Sequence, residues 1–160
     1  MSPIEIEIEL MDGSIMKGEL YPDVAPITVE NFLHLIDEDF FAGLIFHRVI
    51  EGFMIQGGGY DENMHPKSAK SIKGEFLLNG VNNDLKHERG VMSMARTMVP
   101  DSASSQFFIM HQTSPHLDGQ YAAFGKIIEG LDVVDKIATT PTGFQDVPIT
   151  PVVIKTIRRK

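Results

Sequence analysis

The start of the chain alternates between apolar and polar side chains, and this alternation predicts a β-hairpin. Over residues 4–10 every second side chain is apolar, and the three residues between them are glutamates. A period of two is typical of a strand with one buried face, so we expect these carboxylates to form a solvated face rather than an acid–base site. Residues 12 and 13, Asp-Gly, are a strong turn signal, and residues 15–20 are the predicted returning strand.

Two amphipathic helices and several short strands are predicted further along. Pro26 suits the first turn of a helix, and the i, i+3, i+4, i+7 spacing of an apolar stripe is met by Val29, Phe32, Leu33 and Ile36. A second, shorter helix is predicted after Gly130. Short apolar runs predict strands at residues 44–50, 53–56, 91–95, 106–110, 121–128 and 152–157.

The number and order of these elements define the expected fold. About eight strands and two helices occur without a β-α-β rhythm, so we expect a mainly-β fold, a closed barrel with helical plugs. A chain of 160 residues has the length of one domain, which we place over residues 1–160. Residues 60–89 form a polar segment that is longer than an ordinary connecting loop, so we expect this segment to pack around a site.

Composition and charge narrow the class of protein. Hydrophobic residues make up 42% and charged residues 22%, which excludes disordered and fibrous classes. No apolar run reaches the roughly 20 residues of a membrane span, and residues 1–7 lack the pattern of a secretory signal. Fourteen basic and 22 acidic residues give a net charge of −8, which argues against a nucleic-acid partner. We expect residues 158–160, Arg-Arg-Lys, to be a solvated chain end.

Several catalytic chemistries are excluded by missing residues. The chain has no cysteine, which excludes thiolate and iron–sulfur sites and fits a reducing, cytoplasmic location. It has neither a nucleophile elbow nor a P-loop, so the glycines at residues 57–59 predict a bulge or a tight bend. The histidines lack metal spacing: His87 has no second histidine on its helix face, and Pro115 separates His111 from His116. We therefore expect no metal and no cofactor.

A mixture of apolar and polar side chains recurs on three predicted strands. Alternation places three pairs on common faces: Phe46 with Arg48, Met54 with Gln56, and Gln106 with Phe108. For any one of these residues, a place in the core or at its rim is the simpler interpretation. The repetition on three strands favours an apolar pocket with a few polar groups, which is typical of ligand sites.

The same strands carry a resemblance to a known family. The stretches FHRVIEGFMIQGG at residues 46–58 and SQFFI at residues 105–109 resemble the cyclophilin family of peptidyl-prolyl cis/trans isomerases. Four more stretches support it in the same order: residues 70–76, 90–95, 117–119 and 124–126. The resemblance implies an eight-stranded antiparallel β-barrel capped by two α-helices, in agreement with the strand count.

The resemblance also implies roles for single residues. Arg48 matches the catalytic arginine, and Gln56 and Gln106 match polar groups beside the peptide backbone of the substrate. The walls of the proline pocket are matched by Phe53, Met54, Phe108 and Leu117. Ala95 and Arg96 match a strand-end pair whose backbone holds the residue before proline.

Three positions depart from the common family pattern. Arg96 stands where asparagine is usual, which leaves the backbone contact possible but puts side-chain contacts in question. His116 and Tyr121, which we also expect to touch substrate, replace a tryptophan and a histidine of many eukaryotic members. These departures resemble the small prokaryotic branch. Because His116 offers less apolar area than an indole, we expect cyclosporin-type ligands to bind weakly.

The implied reaction suits these residue types. Rotation about a peptide bond faces a barrier of about 18–20 kcal/mol, yet no bond breaks, so neither a nucleophile nor a metal is required. Arg48 can donate to the proline nitrogen of the twisted amide. We expect a monomer that acts on X-Pro bonds in unfolded or loop segments of client proteins and assists their folding. The alternative is a proline-peptide binding module or holdase with little catalysis.

Overall fold

Eight β-strands and two α-helices form the regular structure of residues 2–160, the part of the chain that the computed structural model describes. The strands are β1 (Ile4–Leu10), β2 (Ile15–Leu20), β3 (Arg48–Ile50), β4 (Met54–Gly57), β5 (Val91–Met94), β6 (Phe107–Met110), β7 (Ala123–Glu129) and β8 (Ile154–Arg159). Helix α1 (Pro26–Asp37) follows β2, and helix α2 (Leu131–Ala138) follows β7. Single 3₁₀ turns occur at Leu77–Asn79, Pro115–Leu117 and Phe144–Asp146.

All eight strands belong to one antiparallel sheet, which confirms the mainly-β fold. Their order is β3-β4-β6-β5-β7-β2-β1-β8, and each neighbouring pair is antiparallel. The expected closure of the barrel is not found, because the end strands β3 and β8 share no ladder. The sheet is a curled, open barrel. The chain before β3 meets the start of β8 over a short stretch, at the Ile45–Val153 bridge and the backbone hydrogen bonds on either side of it.

The reason for this opening lies in residues 44–47, which were predicted to begin a longer third strand. Their backbone groups are shared between two different partners, since Ile45 N–H donates to the carbonyl of Tyr60 and Phe46 N–H donates to that of Val152. Neither pairing extends into a ladder, so β3 keeps only three residues. The predicted common face of Phe46 and Arg48 is therefore wrong: Phe46 is fully buried in the core, and Arg48 is exposed.

The core between sheet and helix is rich in phenylalanine. The stripe predicted on α1 is buried, and Phe32 at its centre lies 5.1–5.3 Å, between ring centroids, from Phe41, Phe107 and Phe124. The edge-to-face contact of Phe32 with Phe107 is favourable for aromatic quadrupoles. Helix α1 thus covers the inner face of the sheet on the side of β6 and β7.

The long polar segment at residues 60–89 is tied to this helix by a buried carboxylate. Glu75 is 3% exposed and accepts hydrogen bonds from the backbone N–H of Thr28 at 2.6 Å and from its hydroxyl at 2.7 Å. Thr28 lies in the first turn of α1, where backbone N–H groups have no partner within the helix. Glu75 therefore anchors the middle of the segment to α1, but no residue of the segment lines the cavity described below.

The acidic strand and the basic tail differ from expectation because they pair with each other. Glu7 lies directly opposite Arg158 in the β1–β8 register. Arg158 binds Glu7 at 3.0 Å and Glu9 at 2.8 Å, and these two carboxylate side chains are only 14% and 20% exposed. The tail is thus part of β8, with Arg159 paired to Asp37, and it is not a solvated end. Within the described residues no helix is long and apolar enough to cross a membrane.

Candidate active site

Nine of the eleven predicted site residues line one cavity of about 130 Å³ on the outer face of the sheet. They are Arg48, Phe53, Met54, Gln56, Ala95, Arg96, Phe108, Leu117 and Tyr121. Of the remaining two, Gln106 is hydrogen-bonded to Gln56, and His116 packs on Phe53. The cavity has room for about four water molecules, which suits a small ring.

Strand pairing explains why these side chains meet. Gln56 lies opposite Arg48 in the β3–β4 register and opposite Phe108 in the β4–β6 register. Side chains of directly opposed residues stand on the same face of a sheet, about 4.5–5.5 Å apart at their Cβ atoms. Met54, two residues before Gln56, shares this face, as the alternation predicted.

A short chain of polar contacts runs along one side of the cavity. Gln56 Nε2 donates to Gln106 Oε1 at 3.0 Å, which orients Gln56. Arg48 Nη1 contacts Gln56 Oε1 at 3.4 Å, a long and weak hydrogen bond. Among residues 2–160 carboxylates pair with three other arginines but not with Arg48. Its guanidinium therefore keeps most of its donors for a substrate.

The three glycines at the end of β4, residues 57–59, make space for these polar contacts. A Cβ atom on Gly59 would lie 2.5 Å from the side chain of Gln106, and one on Gly57 would lie 2.7 Å from the carbonyl oxygen of Ile45. Gly58 has φ of +90°, a left-handed conformation that other residues rarely adopt. The predicted tight bend is present, and its consequence is that Gln106 can lie against the backbone.

The apolar part of the cavity has a firm floor and a partly open wall. Met54, Phe108 and Leu117 are 2%, 5% and 7% exposed and belong to a small second core beneath the cavity. Phe53 is half-buried, and the ring of His116 lies 5.7 Å from its ring at 30°. His116 thus supports the outside of the Phe53 wall and does not line the cavity.

Arg96 closes the opposite end of the cavity. Its guanidinium carbon lies 4.6 Å from the ring centre of Phe76 and 4.7 Å from that of Tyr121, so two aromatic rings make cation–π contacts with it. Tyr121 in turn meets Phe108 edge to face at 5.7 Å. The backbone of the preceding residue, Ala95, is held by β6 through its N–H bond to the carbonyl of Gln106.

A buried hydrogen-bond network under the cavity was missed by the sequence analysis. His87 is 1% exposed, and its ring nitrogens contact Ser93 Oγ at 2.8 Å and Asp118 Oδ1 at 3.1 Å. Asp118 also accepts the backbone N–H of His87 and so fixes the turn that carries Leu117. Burial lowers the pKa of His87 although Asp118 opposes the shift. Ser93 is fully buried, so this serine, histidine and aspartate set is a brace and not a nucleophile.

A second histidine that the sequence analysis did not assign holds the turn before Phe53. His111 Nδ1 accepts the backbone N–H of Gly52 at 2.8 Å, and the backbone N–H of His111 donates to the carbonyl of Phe53. The other ring nitrogen of His111 contacts Asp135 at 3.1 Å, and Asp135 forms a bidentate pair with Arg89. Helix α2 is thereby linked to the Phe53 wall. His87 and His111 bind partners far away in the sequence, Asp118 and Gly52, so no local sequence pattern predicts these contacts.

His47, next to Arg48, lies half-buried behind the strand. Its ring is 4.7 Å from that of Tyr60, and its Nδ1 atom is buried without a hydrogen-bond partner. Burial, aided by the positive charge of Arg48, lowers the pKa of His47 from 6.5 to about 4. The imidazole is therefore neutral at pH 7 and adds no charge to the site.

A larger hollow of about 700 Å³ lies along α1, away from all of these residues. Two of its charged residues, Asp37 and Arg159, pair with each other, and its apolar lining includes Ile4, Ile27 and Ile72. Its other polar side chains are Glu30, Asn31 and His34, and its arginine, unlike Arg48, is already paired with a carboxylate. In the described part of the chain, no three histidine or acidic side chains converge as metal ligands would.

Comparison with known proteins identifies the family. The family model described as cyclophilin type peptidyl-prolyl cis-trans isomerase/CLD matches residues 4–159. The chain is 47% identical to a peptidyl-prolyl cis-trans isomerase of Acinetobacter baylyi, over 97% of this chain and 85% of that protein. It is 44% identical to peptidyl-prolyl cis-trans isomerase B of Escherichia coli, over 86% and 88% of the two chains.

A solved structure agrees with this assignment. The cyclophilin type peptidyl-prolyl cis-trans isomerase of Cryptosporidium parvum, crystallised in the presence of the dipeptide Ala-Pro, superimposes with a TM-score of 0.83 at 30% identity and 98% coverage of both chains. The chain therefore belongs to the cyclophilin-type peptidyl-prolyl cis-trans isomerases, and it is an enzyme. The interpretation as a binding module with little catalysis is not favoured.

Replacing Gly59 by alanine tests the role of the glycine bend. The new Cβ would displace Gln106 and break its bond to Gln56, so we expect kcat/KM for an X-Pro peptide to fall about tenfold in a folded protein. Gln106→Ala removes the clashing atoms, so the two substitutions should not add in free energy of unfolding. Wild-type activity of Gly59→Ala, or full additivity of the two, would contradict this account.

The lowered pKa of His47 predicts an acid-sensitive contribution to stability. Below about pH 6.5 the unfolded chain takes up the His47 proton before the folded one does, so this contribution is complete above that pH and is lost as the pH falls toward 4. The full difference between 6.5 and about 4 corresponds to about 3 kcal/mol, and solvent screening at this half-buried ring reduces the expected contribution to about 2 kcal/mol. Urea unfolding at neutral and acid pH should show a smaller acid loss in His47→Gln than in the wild type.

The control for this experiment is His65→Gln, because the His65 side chain is 77% exposed. It should keep the acid loss of the wild type. An equal acid loss in His47→Gln and the wild type would show that the buried imidazole is not the group responsible.

Proposed function

We propose that this isomerase twists the X-Pro bond by holding the proline ring in the 130 Å³ cavity while Arg48 donates a hydrogen bond to the proline nitrogen. The observation that carries the proposal is an arginine without a carboxylate partner at the edge of a cavity of ring size with an apolar floor. Binding of proline-containing peptides is supported by the Ala-Pro dipeptide used with the Cryptosporidium parvum relative.

The donor acts mainly in the transition state. In a planar amide the nitrogen lone pair is delocalised, which is the origin of the rotation barrier. When the bond twists by about 90°, the lone pair localises on nitrogen and becomes a hydrogen-bond acceptor. A charged, rigid guanidinium at that position stabilises the twisted form more than either planar isomer, and such differential binding is what accelerates a reaction.

The two glutamines orient the reacting groups. Gln106 holds Gln56 at 3.0 Å, and Gln56 presents its oxygen to Arg48 at 3.4 Å. In this role Gln56 restricts the Arg48 rotamers, and Gln106 remains available to the backbone of the substrate. Preorganised donors of this kind need no reorganisation when the transition state forms.

The apolar floor of the cavity holds the proline ring in place while the rest of the peptide rotates. Met54, Phe108 and Leu117 are almost fully buried, so a proline ring seated on them would be held in place. The carbonyl before proline is at the open side, between Ala95 and Arg48, where it can swing. Methionine can adjust to the pucker of the ring, whereas the aromatic walls are rigid.

The client is an X-Pro bond in an unfolded chain or in an exposed loop, because the cavity lies at the protein surface and admits an extended segment. Uncatalysed isomerisation takes tens to hundreds of seconds, so the enzyme would assist folding steps that it limits. A monomeric state, a cytoplasmic location and weak cyclosporin binding are further proposals. Sedimentation, cell fractionation and an inhibition titration would test them in turn.

Arg48→Ala tests the central assignment. A charge-assisted hydrogen bond contributes about 1.5–3 kcal/mol, so kcat/KM should fall by about one to two decades while circular dichroism stays that of the wild type. Arg48→Lys should also be poor, because an ammonium lacks the planar fork. A protease-coupled assay with an X-Pro peptide measures both.

The matched control is Arg159→Ala, which removes an exposed arginine that pairs with Asp37 far from the cavity. Its activity should equal that of the wild type. If a folded Arg48→Ala protein were as active as the control, Arg48 would not be the donor.

A further inference from the structure

The arginines of this protein fall into two groups. The chain has five, and the three that lie away from the cavity, Arg89, Arg158 and Arg159, each pair with a carboxylate at 3.0 Å or less. The two that line the cavity, Arg48 and Arg96, have no carboxylate partner within residues 2–160. The two arginines without a carboxylate partner therefore lie on one cavity, in a chain with a net charge of −8.

Arg96 is held rigidly without being neutralised. The ring centres of Phe76 and Tyr121 lie 4.6 and 4.7 Å from its guanidinium carbon. Its Nε and Nη2 atoms donate to the carbonyl of Gln120 at 3.2 and 2.6 Å, and Nη1 donates to the carbonyl of Thr97 at 2.9 Å. All of these partners are uncharged, and three of the five N–H donors are used. One donor on each terminal nitrogen remains, so the fork can still bind a carboxylate.

The acidic residues nearest in sequence to these contacts form no ion pair with Arg96. Each is engaged elsewhere by a short hydrogen bond: Asp118 with His87, Glu75 with Thr28, and Asp101 with Gly74. The cavity lining itself contains no aspartate or glutamate. The positive end of the cavity is therefore not neutralised by the protein, and an incoming anionic group would meet it directly.

We propose that Arg96 selects X-Pro segments in which the residue before proline is glutamate or aspartate. The position follows from the proposed binding mode, in which the carbonyl before proline lies between Ala95 and Arg48, because Arg96 is the next residue after Ala95 and lines the same cavity. This inference rests on the proposed function. A guanidinium already held by two rings and three hydrogen-bonded N–H groups loses little further entropy when it binds a carboxylate, and charge-assisted bonds to arginine are among the stronger ones.

The test compares short peptides that differ only in the residue before proline. Isomerisation of Glu-Pro, Gln-Pro, Lys-Pro and Ala-Pro peptides is followed by NMR exchange, so that no coupling protease adds its own preference. We expect kcat/KM for Glu-Pro to exceed that for Gln-Pro by about three- to tenfold at pH 7.5, and Lys-Pro to be the poorest. The ratio of Glu-Pro to Gln-Pro should fall as salt is added.

Variants assign the preference to Arg96. In Arg96→Gln the ratio of Glu-Pro to Gln-Pro should drop to about one, whatever the overall rate, and Arg96→Lys should retain part of it. Arg159→Gln, which removes a positive charge remote from the cavity, should keep the wild-type ratio. A peptide with glutamate after proline should show no gain over its glutamine counterpart.

The outcomes separate this inference from the proposed function. A wild-type ratio near one with Ala-Pro turned over normally would overturn the selection and leave the isomerase mechanism intact. Persistence of the preference in Arg96→Gln would overturn the role of Arg96. Loss of turnover for every peptide would instead contradict the proposed function itself.

Discussion

Strand β4 is paired on both sides, and its register determines where the whole site lies. Gln56 faces Arg48 across one ladder and Phe108 across the other, so the polar donor and the apolar floor are set by one residue of one strand. A slip of one residue would turn Met54 and Gln56 to the opposite face of the sheet. The proposed catalytic geometry is therefore a property of the sheet rather than of a flexible loop.

Residues that take no part in the proposed reaction hold the proposed catalytic groups in place. Glycines after β4 leave the space that Gln106 occupies, and two buried histidines tie the neighbouring turns to the sheet. His87 fixes the turn of Leu117, and His111 fixes the turn of Phe53. Sites work when their supporting contacts are as well ordered as the reacting groups, and in this protein those supports are short hydrogen bonds.

Sequence patterns predicted the parts of the fold that local periodicity controls. The β1–β2 hairpin and the α1 stripe were predicted because burial follows a period of two or 3.6. The strand expected at residues 44–50 was mostly wrong, since its backbone bonds go to two distant segments. The paired tail, the open barrel and the histidine braces also depend on partners far away in the chain. The cavity residues were predicted because the resemblance carries long-range information that periodicity lacks.

The central claim is that a fixed donor and an apolar floor lower the barrier while no proton is transferred and no covalent bond forms. The solvent deuterium isotope effect on kcat/KM for an X-Pro peptide tests it most directly, because general acid–base catalysis slows markedly when the transferred proton is a deuteron. We expect a ratio of rates in water and deuterium oxide close to unity. A ratio well above unity would contradict the account, since it would require proton transfer in the transition state. Neither Arg48 nor the glutamines can supply such a proton.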